Sequence, residues 1–210
     1  MAKGKTKKRP GQQKDPRTKI ISACLKLAVD KDWGEVGLGE IAEAAKMPLR
    51  EVHKYFRSKN AVLKAFSQQV DTEVLANSVS VGSDATARDR LFEIIMRRFD
   101  VLSPYKHGLR AVIRGFCHEP ISGLCSCVRV HASMQLMLET VGIGSTGFQG
   151  ELKARGLAII YANSLRVWLN DESPDLAVTM AALDRGLMRA EQIMGLLKLG
   201  GEDQSWRDHK

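Results

Sequence analysis

No apolar run in the 210-residue sequence approaches the roughly 20 residues needed to span a membrane. Nor is there sustained alternation of apolar and polar residues, the mark of half-buried strands. Only six prolines occur; they and most glycines fall between periodic segments and leave the helical patterns uninterrupted. The opening MAKGKTKKRPGQQKDPR lacks the hydrophobic region of a secretory signal, so a cytoplasmic location is expected. Cysteine is scarce. Cys117-His118, Cys125-Ser126-Cys127 and His131 lack the paired C-x-x-C spacing of a zinc module, and Cys24 falls on an inner helix face, so the thiols read as core groups. His107, His118 and His131 stand in no recognisable catalytic constellation. No metal, cofactor or enzymatic activity is expected. What remains is an all-α chain long enough for a small head and a larger helical body.

The charge is unevenly placed. Of the net +8, residues 1–60 hold 15 Lys and Arg against 7 Asp and Glu, while residues 61–210 hold 17 of each. The whole excess therefore lies at one end, as expected if only that end meets a polyanion. Lys5, Lys7, Lys8 and Arg9 belong to a basic arm, residues 1–15, which is polar and aperiodic and should be disordered in isolation. Such arms can enter a DNA minor groove. A solubilising tail is the plainer alternative.

Residues 38–60, LGEIAEAAKMPLREVHKYFRSKN, follow a different pattern. Ile41, Ala42, Ala44 and Ala45 place small apolar groups on one face of a short helix. Lys46-Met47-Pro48 breaks it, and a second helix from Pro48 to Phe56 turns Val52, Tyr55 and Phe56 inward. Two short helices meeting at a tight turn read as a helix-turn-helix, whose second helix lies in the major groove. The stretch, with Tyr55-Phe56, the Ser58-Lys59 that starts the next helix, and Arg17, Ile20 and Ala23 before it, resembles the TetR family of transcriptional regulators. Four positions depart from that pattern. Gly37 offers no side-chain oxygen as a cap. Lys46 stands where glycine would adopt its turn conformation freely, at a cost of about 1 kcal/mol. Pro48 fits a first turn but cannot cap it, and His53 replaces a phosphate-touching Tyr. The outward residues of the second helix are Leu49, Arg50, Glu51, His53 and Lys54. Arg50 is the expected base reader, because Arg bonds guanine in bidentate fashion. Lys46, Lys54 and Lys59 are expected to hold phosphates.

In order, the patterns predict helices over about 16–31, the two just described, 59–79, 84–102, a sixth restarting at Ser103-Pro104, a seventh opened by Pro120, then 148–170 and 174–198. The fold class is thus all-α with about nine helices: an arm (1–15), a helix-turn-helix head (16–62), a body (63–199) and a tail (200–210). The apolar stripes of the last two helices are wider than an internal core needs, which points to a homodimer seam with Leu165, Trp168, Leu183, Leu187 and Met194; an internal hairpin is the alternative. The TetR resemblance implies the same pairing.

A second resemblance begins beyond the head. ARDRLFEIIMRRFDVLSPYKHGLRAVI (87–113), Tyr161 to Trp168 and DESPDLAVTMAALDRGL (171–187) resemble the body of the TetR-fold accessory protein of ubiquinone biosynthesis, which carries lipid. A pocket for a small hydrophobic or lipid-like ligand is therefore expected between helices four and eight, walled by Phe92, Ile95, Phe99, Val112, Phe116, Leu124 and Val128. Two functions follow from the resemblances. One is a ligand-responsive repressor that binds a double-stranded DNA operator as a dimer. The other is a lipid-binding accessory protein without operator recognition. The basic head favours the first.

Overall fold

The computed structural model describes residues 15–76 and 85–196, which form nine α-helices and two short 3-10 turns. In order these are α1 (Pro16–Asp30), α2 (Leu38–Ala44), α3 (Leu49–Tyr55), α4 (Lys59–Ala76), α5 (Ala87–Leu102), α6 (Lys106–Gly115), α7 (Pro120–Thr140), α8 (Gly147–Asn170) and α9 (Ala177–Leu196). The 3-10 turns are Trp33–Glu35 and Ser103–Tyr105. No strand occurs among the described residues. None of the helices is long and apolar enough to cross a membrane. The basic arm with Lys5, Lys7, Lys8 and Arg9, the end of the expected fourth helix, the Gly82-Ser83-Asp84 start and the tail all lie outside the described residues, as does the side chain of Met194.

Local chemistry accounts for most helix ends. Asp15 caps α1, with Pro16 in its first turn. The start of α5 is set by a capping box: the Thr86 hydroxyl accepts from the Asp89 amide at 3.1 Å, and Asp89 accepts from the Thr86 amide at 3.3 Å. That box lies two residues beyond the break expected to open the helix. Asp171 precedes α9 and collects the amides and hydroxyls of Ser173 and Thr179. Burial works against its ionisation, but these four bonds outweigh it and hold the carboxyl well below the usual range.

The head core is Ile20, Cys24, Trp33, Ile41 and Val52, all at most 1 % exposed. Burial pushes the Cys24 thiol up to about 12, so it stays protonated and inert. The other cysteines correct the expectation: Cys117 and Cys127 are exposed and Cys125 is half-buried. No three His, Cys, Asp or Glu among the described residues could jointly hold a metal. Ala44 also points outward, since Ile41, Ala42 and Ala45 suffice to seat α2.

The centre of the body is polar at one point. Arg98 of α5, 3 % exposed, pairs with Asp71 of α4 and donates from Nε to the Tyr161 hydroxyl (3.2 Å) and from Nη2 to Ser133 Oγ (3.4 Å). Ser133 in turn donates to Asp71 at 2.8 Å. Next to it, Phe99 stacks on Tyr161 and on Trp168, with ring centroids 5.6 and 5.5 Å away. Four helices are thereby tied by one guanidinium. Two measurements check this. Arg98→Ala strands Asp71 and should cost about 3–5 kcal/mol of stability in chemical denaturation. The lowered carboxyl of Asp171 contributes stability at pH above the ordinary carboxylate range, near 4, and loses it progressively below. Thermal unfolding from pH 6 to pH 3 should therefore fall less steeply for Asp171→Ala than for the parent.

Candidate nucleic-acid interface and body cavity

The turn between α2 and α3 is closed by backbone bonds that explain how it tolerates its side chains. Lys46 adopts φ +51°, the left-handed conformation. Its amide bonds the Glu43 carbonyl and the Met47 amide bonds the Ala42 carbonyl, both at 2.9 Å. This is a Schellman ending with lysine where glycine is usual. Pro48 then stands at the N-cap of α3 with no side-chain cap, as its chemistry requires. At the start of α2, Gly37 supplies no oxygen, but its amide donates to Glu40 at 3.0 Å.

On α3, Val52 is fully buried and Phe56 nearly so, which fixes the opposite face outward. Leu49, Arg50, His53 and Lys54 are exposed, and Lys46 lies exposed beside them. Glu51 is half-buried and pairs with Lys54 at 2.8 Å, so the charge of Lys54 is partly satisfied within the helix. Arg50 has no ion pair among the described residues. Arg57, just past the helix and exposed, shares that state and was missed by the sequence reading; its place directly after the aromatic close was the available signal.

Lys59 corrects the expectation of a phosphate contact. Its ammonium donates to the Trp33 carbonyl and to Glu119, each at 2.6 Å, and lies 5.0 Å from the centre of the Trp33 ring. Its side chain is 15 % exposed. The residue bolts the base of the head to the corner between α6 and α7. Glu119 also accepts from Ser122 at 2.8 Å. Burial resists its ionisation, but Lys59 and Ser122 prevail and lower its carboxyl pKa. The same joint rests on two glycines of α6. A Cβ on Gly108 would stand 2.5 Å from the Leu25 carbonyl oxygen, and one on Gly115 would stand 2.3 Å from the Trp33 Cβ. Only glycine lets α6 lie this close to the head. Their spacing of seven puts both on one face of α6, two turns apart.

A cavity of the body lies elsewhere than expected. A space of about 230 Å³ lies among α5, α7, α8 and α9, with Leu91, Leu138, Leu157, Ile160 and Leu187 in its wall and Arg88 at its edge. None of the seven residues predicted to wall a pocket lines it. Ile95, Phe99 and Val112 are buried in solid packing, Phe92 and Phe116 are half-buried against that core, and Leu124 and Val128 are 67 % and 64 % exposed on α7. The Arg98 group and the Phe99 stack occupy the volume where the pocket was expected. The dimer seam needs a similar correction. Trp168 and Leu183 are 0 % exposed, Leu187 is 5 %, and Leu165 packs against the core, so these side chains hold α8 and α9 to their own subunit.

The geometry defines a helix-turn-helix protein whose head is carried by an all-α body. Residues 20–66 match the family model of bacterial regulatory proteins of the tetR family, and residues 127–194 match that of COQ9. The chain is 24% identical over 162 residues to the HTH-type transcriptional activator FasR of Mycolicibacterium smegmatis, covering 75% of this chain and 74% of that one. A TetR transcriptional regulator from Nitrosomonas europaea superposes with a TM-score of 0.67 at 27% identity, over 85% of this chain and 99% of the other. A TetR regulator from Rhodococcus sp. RHA1 shares the fold, with a TM-score of 0.57 at 18% identity over 83% and 94%. Head, relative and fold together make this chain similar to the TetR family of transcriptional regulators.

Three substitutions separate base reading, bracing and phosphate contact. Arg50→Ala should cost about 1–3 kcal/mol at the preferred site and flatten sequence preference there. Lys59→Met should lower the unfolding midpoint and leave the salt slope of DNA affinity unchanged, whereas Lys46→Met should reduce that slope by about one. A slope reduced by Lys59→Met as well would return that lysine to the phosphates.

Proposed function

We infer that the protein is a cytoplasmic, non-enzymatic repressor that binds a double-stranded operator as a homodimer and leaves it when a small hydrophobic ligand binds the body. The observation that carries this reading is the exposed face of α3, with Arg50 in no ion pair among the described residues, at the end of the chain that holds all the excess positive charge. A chain freed from DNA has no physical reason to concentrate its charge there. Dimerisation supplies two heads at a set spacing, and a ligand shifts that spacing only if it binds the DNA-free arrangement more tightly. The seam is placed on the outward apolar side chains of α8 and α9: Ile159, 71 % exposed, Val178, 56 %, and Met188, 38 %.

The COQ9 match over residues 127–194 supports the second reading, a lipid-binding accessory protein without operator recognition. A gel shift with DNA from upstream of the protein's own gene, followed by selection from a random pool, decides between them. A selected sequence held at moderate salt supports the regulator; affinity indifferent to sequence supports the accessory protein. The relative in M. smegmatis is named an activator, so a promoter reporter should be read alongside, with repression expected. For the seam, Ile159→Glu with Met188→Glu should give a folded monomer in sedimentation with weakened DNA binding. An unchanged dimer would move the interface off these helices.

A further inference from the structure

The cavity has a floor and a mouth of different chemistry. Leu91, Leu138, Ile143, Leu157 and Leu187, at 2–5 % exposure, form the floor. At the mouth, Leu152 and Ile193 are 43 % and 55 % exposed, and the charged groups Arg88, Lys153 and Glu191 stand with them. The lining thus holds two cations and one carboxylate. Arg88 donates from Nη2 to Asp184 at 2.5 Å, while Glu191 stands off at 3.8 Å, beyond hydrogen-bond reach. A guanidinium carries five N–H donors in a planar fork that suits a carboxylate. Size adds a second restriction. The space of about 230 Å³ lies below the roughly 300–1,000 Å³ of pockets for drug-sized ligands, so it suits a short or medium aliphatic chain better than a long one.

We propose that this cavity binds a medium-chain aliphatic carboxylate, with its chain on the leucine floor and its head on Arg88 at the mouth. Glu191 is the group the head displaces, because its contact with Arg88 is the looser of the two. Binding itself is independent of the DNA reading; only its regulatory consequence rests on that reading. Gly156 gives the means to close the site. It lines the cavity, and a Cβ built on it meets nothing within 4 Å. Leucine there fills the space, and as a better helix former than glycine it does not threaten α8.

The test is calorimetric titration of the purified full chain with decanoate, decanol and hexadecanoate, each below its micellar concentration. Decanoate should bind at least tenfold more tightly than decanol, and hexadecanoate no more tightly than decanoate. Arg88→Met should lower decanoate affinity at least tenfold and leave decanol within twofold. Gly156→Leu should weaken both at least tenfold, with the helical circular dichroism retained. Equal affinity for acid and alcohol, both indifferent to Arg88→Met, would overturn the head assignment. Decanoate binding unaffected by Gly156→Leu would overturn the cavity as the site. Titrations repeated with the selected DNA separate the two readings. Decanoate bound without any change in DNA affinity supports the site and sinks ligand-controlled release. DNA bound by a protein that ignores decanoate overturns the site alone.

Discussion

The charge of Arg98 has to be matched where it lies, and that requirement organises the body. Moving a guanidinium out of water costs several kcal/mol unless partners replace the lost hydration. Here the partners come from α4, α7 and α8, at separations of 27, 35 and 63 residues from Arg98. Burial resists the charge, but Tyr161 and Asp71 outweigh it and hold the pKa above its ordinary value. None of the four helices can slide by a turn without stranding one of these groups. The stack of Phe99 on Tyr161 and Trp168 grows from the same register. One consequence is that the middle of the body is full, and the free volume sits at its edge under α9.

The second consequence reaches the head. Asp71 lies on α4, whose first residue is Lys59, so the helix fixed by Arg98 at one end is bolted to Trp33 and Glu119 at the other. Gly108 and Gly115 bring α6 against the head from the side. The head is held at two places, by α4 and by α6, and both run into the body. A change in how α5, α7 and α8 pack therefore bears on the contacts that hold the head at Leu25 and Trp33. Part of the cavity floor belongs to those same helices, with Leu91 two turns from Arg98 on α5 and Leu157 one turn from Tyr161 on α8.

The helix-turn-helix was readable because its constraints are local. Which face of α3 is outward follows from the spacing of Val52 and Phe56, and the left-handed backbone at Lys46 follows from a turn that must close within three residues. The start of α5 was misplaced for an equally local reason: Gly82-Ser83-Asp84 is a stronger-looking break than Thr86-Ala87-Arg88-Asp89, whose reciprocal cap opens the helix.

The sequence alone determined that the chain is helical, that it carries a helix-turn-helix head and that its excess charge sits in the first 60 residues, because periodicity, turn chemistry and charge are properties of neighbours in the chain. Tertiary structure decided what the apolar residues of the body are for. A wide stripe on α8 and α9 looks the same whether it faces a second subunit or its own core, and only packing showed that Trp168, Leu183 and Leu187 face inward. An apolar wall and a solid core draw on the same residue types, so Phe99 could not be told from a pocket residue until its stacking partners were in place. Lys59 was decided in the same way. A lysine at a helix start can serve a phosphate or a carboxylate, and Glu119, sixty residues further on, settles the choice only when the chain has folded.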